Sequence, residues 1–251
     1  MSERRTIRLV REGRPDPPEM DTAISRATLS LVGAGALPET LRLHRPGAIV
    51  AFGPRDLVEP GCRDAVATAH ARGFGTVERL AGGRAAVFHE GTLAFSWAIP
   101  DQAPREGIRA RFQELAGIMV EAFQGLGVDA RIGEVPGEYC AGEHSVNARG
   151  RVKLMGVGQR VVAGAAHVGG VVVVDRADRI RDVLIPVYRA LDLEWDPATV
   201  GALADEVPGV TWRAVEAAII GAFGDRFDLQ EARLDPETLS VARESLQRQP
   251  A

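Results

Sequence analysis

The chain has 251 residues, enough for one substantial hydrophobic core or for a catalytic domain with a small C-terminal appendage. Its 45% hydrophobic and 25% charged content is that of an ordinary globular domain, and 30 Lys plus Arg against 34 Asp plus Glu give a net charge of -4. That balance provides no broad basic field for nucleic-acid backbones. The charged start, MSERRTIRLVREG, has no continuous apolar signal segment, and the longest apolar runs are too short to span a bilayer, so the expectation is a cytoplasmic protein with neither nucleic acid nor membrane as partner.

After the turn-rich GRPDPPE, the spacing predicts a helix over Met20 to Leu31. TLRLHRPGAIVAFG reads as two strands separated by a Pro-Gly interruption, the second ending at Gly53. CRDAVATAHARG has helical spacing and a glycine stop, and GTVERLAGGRAAVFHEGTLAFSWAIP reads as strand, glycine loop, strand and a further strand. Arg105 to Leu126 favours a helix with Phe112, Leu115, Ala116, Met119, Val120 and Phe123 in one buried stripe. A polar, glycine-containing loop and short apolar strands follow, and the four-valine run before Asp175 reads as a buried strand. IRDVLIPVYRALDL is a helix or broken helix, and three further segments with Asp or Thr caps read as short helices separated by Pro-Gly or Asp-Pro turns. No internal repeat or long linker compels a second large domain, and only the chain ends read as disordered.

Three local features carry chemistry. Gly82 and Gly83 in RLAGGRAAVFHEG permit close backbone approach to an anion or carbonyl, with Arg79 and Arg84 beside them, although a plain turn explains the same residues. The stretch matches neither the GxxxxGK[ST] phosphate loop nor the GxGxxG dinucleotide pattern. His89 either contacts substrate or bonds a backbone carbonyl, and the scattered histidines give no local metal-binding spacing. Cys62 and Cys140 form no disulfide framework, and Cys140, in the polar loop GEYCAGEHS, is either a nucleophile activated by a neighbouring charge, amide or histidine, or a packed thiol. His144 is a possible assisting base. Lys153, in GRVKLMG, is the sole lysine of the chain; it is either solvated or a fixed donor for a carboxylate, phosphate or acyl oxygen.

Taken together and in this order, MDTAISRATL, TLRLHRPGAIVAFGPRD, RLAGGRAAVFHEGTLAFSWAI and GRVKLMGVGQRVVAGAAHVGGVVVV resemble the lipoate-protein ligase and lipoyl/octanoyl transferase family, most of all its members with a cysteine-loop mechanism. The resemblance covers most of Met20 to Asp175. It implies an α/β (α+β) fold like the biotin/lipoate protein ligase catalytic domain, with a central mixed or antiparallel sheet flanked by helices. It sets Gly82, Gly83, Arg84 and His89 around the acyl group, assigns Lys153 to carbonyl or adenylate contact, and has Gly156 shape the adjoining backbone. Cys140 falls where the cysteine-dependent octanoyltransferases carry their acyl-thioester nucleophile.

The departures are Glu78-Arg79 where the family frequently has consecutive arginines, an additional small residue among Ala85 and Ala86, and GEHSV where ATP-dependent ligases carry arginine, asparagine and aspartate. The resemblance implies an acyltransferase that moves an octanoyl or related medium-chain lipoyl-precursor group between an acyl carrier protein or other carrier thioester and a lipoyl-domain lysine, with no cofactor. The alternatives are a lipoate-protein ligase that uses ATP and Mg²⁺ to form acyl-AMP, and a noncatalytic acyl-binding or carrier-interaction protein. The expected organisation is a partly flexible segment over 1–19, a catalytic domain over 20–196 and a short helical extension over 197–251.

Overall fold

The computed structural model describes residues 4–247; residues 1–3 and 248–251, at the ends that read as disordered, lie outside the described residues. In chain order the elements are β1 (Thr6–Val10), α1 (Met20–Gly33), β2 (Thr40–His44), β3 (Ile49–Phe52), α2 (Cys62–Ala71), β4 (Gly75–Glu78), β5 (Ala86–Phe88), β6 (Thr92–Pro100), α3 (Ile108–Gly125), β7 (Ala130–Ile132), β8 (Val146–Ala148), β9 (Val152–Val162) and β10 (Ala165–Val173). They are followed by α4 (Ala177–Ala190), α5 (Leu203–Glu206), α6 (Trp212–Gly224), β11 (Asp228–Ala232) and α7 (Pro236–Gln247).

Eight strands form one mixed sheet in the order β11-β1-β2-β6-β10-β9-β8-β7, and β4-β3-β5 form a small second sheet. In the large sheet β1 runs parallel to both its neighbours, whereas β2, β6, β10, β9, β8 and β7 pair antiparallel in succession. Residues 6–10, within the segment expected as partly flexible, thus form an interior strand, and residues 228–232, within the segment expected as helical, form the edge strand beside it. DLQEA is not legible as a strand, because an exposed edge strand lacks the apolar alternation that marks a half-buried one.

The two faces of the large sheet differ. Leu41, Leu43, Leu93, Phe95, Trp97 and Val168 point to one side and pack against α3 and α6, where Leu115, Met119, Phe123, Val215, Ile219 and Phe223 complete the main core. Trp97 meets Phe223 edge-on at 5.2 Å and donates its indole N–H to Glu39 Oε1 at 2.8 Å, which satisfies its buried polar atom. The opposite face carries small and polar residues. Cross-strand register sets Gly158, Gly169, Ser96 and Arg42 in one row, with Gly156, Val171, Ala94 and His44 in the next. Over this face lie α1 and the small sheet. One side of α1 packs on α7 through Ala23, Ile24, Ala27 and Ala242, and Leu29 and Val32 pack on the sheet. A second core gathers α2, α4 and the far side of the small sheet.

No helix among the described residues is long and apolar enough to cross a membrane.

Candidate active site

The centre of the site is built by two loops that meet above β9. Cys140 has a positive φ of 43°, and its sulfur accepts hydrogen bonds from Arg79 Nη1 at 3.0 Å and from the Arg84 backbone N–H at 3.2 Å. The glycine loop is shaped to make this contact. Gly83 adopts φ +109°, and a Cβ there would lie 2.8 Å from Cys140 Sγ and 2.6 Å from Arg79 Nη1, so a side chain is excluded by backbone conformation and by space alike. Arg79 also donates to the Arg84 carbonyl at 2.7 Å, closing the loop on itself. On the floor beneath, a Cβ on Gly158 would lie 2.9 Å from Ala81 Cβ, so the loop sits against bare backbone.

Lys153 holds the cysteine loop from the other side. It is 1% exposed, and its Nζ donates to Glu138 Oε1 at 2.8 Å, the Tyr139 carbonyl at 3.0 Å and the Cys140 carbonyl at 2.9 Å. All three ammonium protons are therefore engaged. Its position depends on a β-bulge: Val146 pairs with Met155 but Asn147 with Lys153, which inserts one residue into β9. Leu154 and Met155 both enter the main core, and Lys153 turns to the side of Gly156, where a Cβ would lie 3.2 Å from Lys153 Cε.

Glu138 completes the anchor by accepting from Ser145 Oγ at 2.6 Å, from the Gly142 N–H at 3.2 Å and, through Oε2, from the Val135 N–H at 3.1 Å. Tyr188 of α4 bridges the two loops: the Cys140 N–H donates to its hydroxyl, which donates to the Ala85 carbonyl, each at 3.0 Å.

These contacts set the state of the thiol. Burial acts to raise the Cys140 pKa and is the largest single influence. The charges of Arg79 and Lys153 and the hydrogen bonds from Arg84 and Arg79 outweigh it and hold the thiol below its ordinary range. Cys62 differs: burial and the charge of Asp56 push its thiol up. Cys140 is thus the cysteine electrostatically prepared to be a thiolate.

Beside this centre lies a cavity of about 660 Å³, open mouth included. Arg79, Leu80 and Ala81 line it at the glycine loop, Ile49, Ala51 and Phe88 of the small sheet form one wall, and Asp21, Thr22 and Ser25 of α1 another. Its sheet side includes His44, Ala94, Ser96, His167, Gly169 and Gly170. Arg79 belongs both to the cavity and to the sulfur contact.

The structure thus brings Arg79, Gly83, Arg84, Cys140, Lys153 and Gly156 together, with Gly82 in the same loop. The Arg84 side chain turns away from the sulfur to Asp56 at 3.1 Å and Glu59 at 2.9 Å. His89 is fully buried, accepts the Gly91 N–H at 3.0 Å on Nδ1, and is held neutral by burial, with its pKa lowered to about 4; its neighbour Phe88, not His89, lines the cavity. His144 stacks on Phe112 at 4.9 Å. Sequence reasoning missed Glu138 and Tyr188. The rarity of tyrosine was an available signal, since the chain's two tyrosines, Tyr139 and Tyr188, both flank Cys140. For Glu138 there was none, because any of 34 acids could have paired with the single lysine.

Among known proteins, the chain is similar to an octanoyl-[GcvH]:protein N-octanoyltransferase of Anoxybacillus flavithermus, 30% identical over 146 residues that cover 58% of this chain and 52% of that protein. It is likewise similar to a lipoyl-[GcvH]:protein N-lipoyltransferase of Listeria monocytogenes, 25% identical over 184 residues, 69% of this chain and 66% of that protein. The matches therefore span about half to two thirds of the length of these relatives. A lipoate-protein ligase A solved with ATP shares the fold at a TM-score of 0.76 and 20% identity, covering 98% of this chain and 95% of that one. The bipartite lipoate protein ligase of Thermoplasma acidophilum does so at 0.71 and 20% identity, covering 98% and 93%. The sequence model of the lipoyl protein ligase A/B catalytic domain matches residues 17–224, and the chain belongs to that family.

Proposed function

We propose that the protein is an acyltransferase that carries an octanoyl or related lipoyl-precursor group on Cys140 and passes it to a lipoyl-domain lysine. The observation that carries this reading is the Cys140 sulfur held between the Arg84 N–H and the guanidinium of Arg79, a residue that also lines the cavity. In the first step the thiolate attacks the carbonyl of a carrier thioester, such as an acylated acyl carrier protein. A tetrahedral oxyanion forms, the donor's C–S bond breaks, and the departing thiolate takes a proton from solvent. In the second, the acceptor amine attacks the Cys140 thioester, an amide forms, the amine loses a proton and the Cys140 thiolate is regenerated.

Lys153 acts in this scheme by fixing the loop and placing a positive charge near the sulfur, since its three donors are engaged. Arg79 Nη1 and the Arg84 N–H, which face the sulfur, are the donors available to the oxyanion. His144, stacked on Phe112, serves packing. Residues 20–196 carry the chemistry on this reading, and a reducing cytoplasm keeps Cys140 free. The names of the two relatives, which describe transfer from GcvH to protein, support it.

The test is intact-protein mass spectrometry after incubation with an octanoyl-carrier donor. An octanoyl adduct on the wild type that is absent from C140A supports the transferase. No adduct, with unchanged turnover in C140A, overturns it. The ligase reading makes the opposite demand: acyl-AMP formation from free octanoate with ATP and Mg²⁺, independent of Cys140. The ATP-bound ligase of the same fold makes that arm worth running.

A further inference from the structure

Cys140 sits in a left-handed backbone conformation, φ 43°, that a non-glycine residue holds only where its surroundings fix it. Each of its polar groups has a partner. Lys153 Nζ takes the carbonyl, Arg79 and the Arg84 N–H take the sulfur, and its own N–H goes to the Tyr188 hydroxyl. Tyr188 reaches both loops from α4, because its hydroxyl donates in turn to the carbonyl of Ala85, the residue after the N–H that meets the sulfur. The result is a closed ring. It runs from the sulfur to the Arg84 N–H, along the backbone to the Ala85 carbonyl, and through the Tyr188 hydroxyl to the Cys140 N–H. The hydrogen bonds that close it measure 3.2, 3.0 and 3.0 Å.

The direction of these bonds is fixed. A backbone carbonyl only accepts and a backbone N–H only donates, so the hydroxyl does both and needs its proton to do so. Burial, with the charge of Cys140 beside it, pushes the Tyr188 pKa well up and keeps that proton in place. The side chain that carries the hydroxyl is itself held in the second core, beside Leu184 and Val187 and tilted against Trp195 at 5.6 Å. Arg79 steadies the Arg84 carbonyl from within the glycine loop. Among the described residues, Tyr188 is the group whose hydrogen bonds join that stretch to the Cys140 backbone.

Acylation changes what the sulfur offers. A thioester sulfur carries no charge and accepts weakly, so the Arg84 N–H loses its partner once the acyl group is on Cys140. The Cys140 N–H cannot serve a developing oxyanion, because it is spent on Tyr188. The Arg84 N–H therefore has to stay aimed at the carbon bonded to the sulfur after the sulfur has stopped holding it, and donors fixed in advance are the ones that stabilise such charge.

Resting on the acyltransferase reading, we propose that Tyr188 is a positioning residue for the transfer. Its hydroxyl sets the spacing between the Cys140 backbone and the Ala85 carbonyl, which keeps the Arg84 N–H on the sulfur before attack and on the carbonyl oxygen after it. It acts through Arg84 and Cys140 rather than on the reacting atoms.

Tyr188→Phe removes one oxygen and keeps the ring. Tyr139→Phe is the matched control, since the Tyr139 hydroxyl is equally buried and has no hydrogen-bond partner among the described residues. Thermal melts establish that both fold. In iodoacetamide labelling across pH, Y188F should raise the Cys140 midpoint by about 0.5–1 pH units, a rate about 3- to 10-fold lower well below both midpoints, while Y139F superimposes on the wild type. With octanoyl-acyl carrier protein as donor, kcat of Y188F should fall at least about tenfold with KM within about twofold, the signature of an arrangement that matters in the transition state. An unshifted profile in Y188F, an equal shift in Y139F, or a raised KM with unchanged kcat overturns the proposal. Amide hydrogen exchange on the wild type needs no variant: the Cys140 N–H should exchange at least about tenfold more slowly than that of exposed Ala141, and equal rates overturn the proposal as well. If wild-type Cys140 takes no octanoyl group, the transfer reading falls, and the labelling and exchange results still decide for or against Tyr188.

Discussion

Replacing Arg79 by methionine tests the electrostatic account of Cys140 most directly. The guanidinium donates to the sulfur at 3.0 Å, so its delocalised charge is centred ~4 Å away; at an effective dielectric of ~20 that pair interacts by about 4 kcal/mol, equivalent to about 3 pH units. Arg79 is half-buried and lines the cavity, and water entering the space vacated by the guanidinium screens the remaining charges. The expected rise of the thiol midpoint is therefore about 1–2 pH units. Well below both midpoints, the thiolate population and the alkylation rate should fall about 10- to 100-fold.

The assay is iodoacetamide labelling across a pH series, with Cys140 and Cys62 peptides quantified separately by mass. Wild-type Cys140 should be labelled at lower pH than Cys62, whose thiol is raised rather than lowered. In R79M the Cys140 profile should move toward higher pH while that of Cys62 stays in place. Arg79→Lys retains the charge without the two-pronged geometry and should fall between them. A Cys140 profile in R79M that superimposes on the wild type would refute the assignment of Arg79 as the group that prepares the sulfur.

Three further outcomes follow from the geometry. Glu138→Ala leaves the Lys153 ammonium buried without its counter-charge and should cost about 3–5 kcal/mol in urea unfolding, partly recovered in E138A/K153M; a loss below about 1 kcal/mol would show that the pair does not anchor the loop. Gly83→Ala must accommodate both a positive φ and a Cβ directed at Sγ and Arg79; it should destabilise the fold by about 1–3 kcal/mol and remove the preferential labelling of Cys140, so a fully reactive Cys140 in G83A would contradict the loop geometry. Glu39 is raised from 4.5 to about 7, chiefly by burial, so the folded state keeps a proton that the unfolded state has released, and stability falls as pH rises through that window. Glu39→Gln keeps an acceptor for Trp97 Nε1 and should raise stability by about 2–3 kcal/mol at pH 8 with little change at pH 4; the same gain at both pH values would show that the charge is not its cause.

Periodicity alone determined the elements that carry their own signal. α3 shows its buried stripe, β10 its valine run, and α1 and α2 their helical spacing, because each buries one face against the core and that requirement is written locally in the order of side chains. The α/β class and the concentration of chemistry around Arg79 to Arg84, Cys140 and Lys153 were legible for the same reason: rare residue types and glycines stood where packing did not need them. The pairing of β1 with β11 was not legible, because it joins residues more than 200 positions apart and the outer strand carries no alternation.

Only the tertiary structure decided what each chemical residue faces. It gave Lys153 to Glu138 and two loop carbonyls through a bulge that sequence does not announce, and it turned the Arg84 side chain away while keeping its N–H on the sulfur. It also brought Asp21, His44, Ser96 and His167, scattered across nearly 150 residues, to one cavity. Hydrogen bonds and charges act over a few ångströms in space, whereas sequence order constrains only near neighbours along the chain; which donor meets which acceptor was therefore settled by strand register and loop closure.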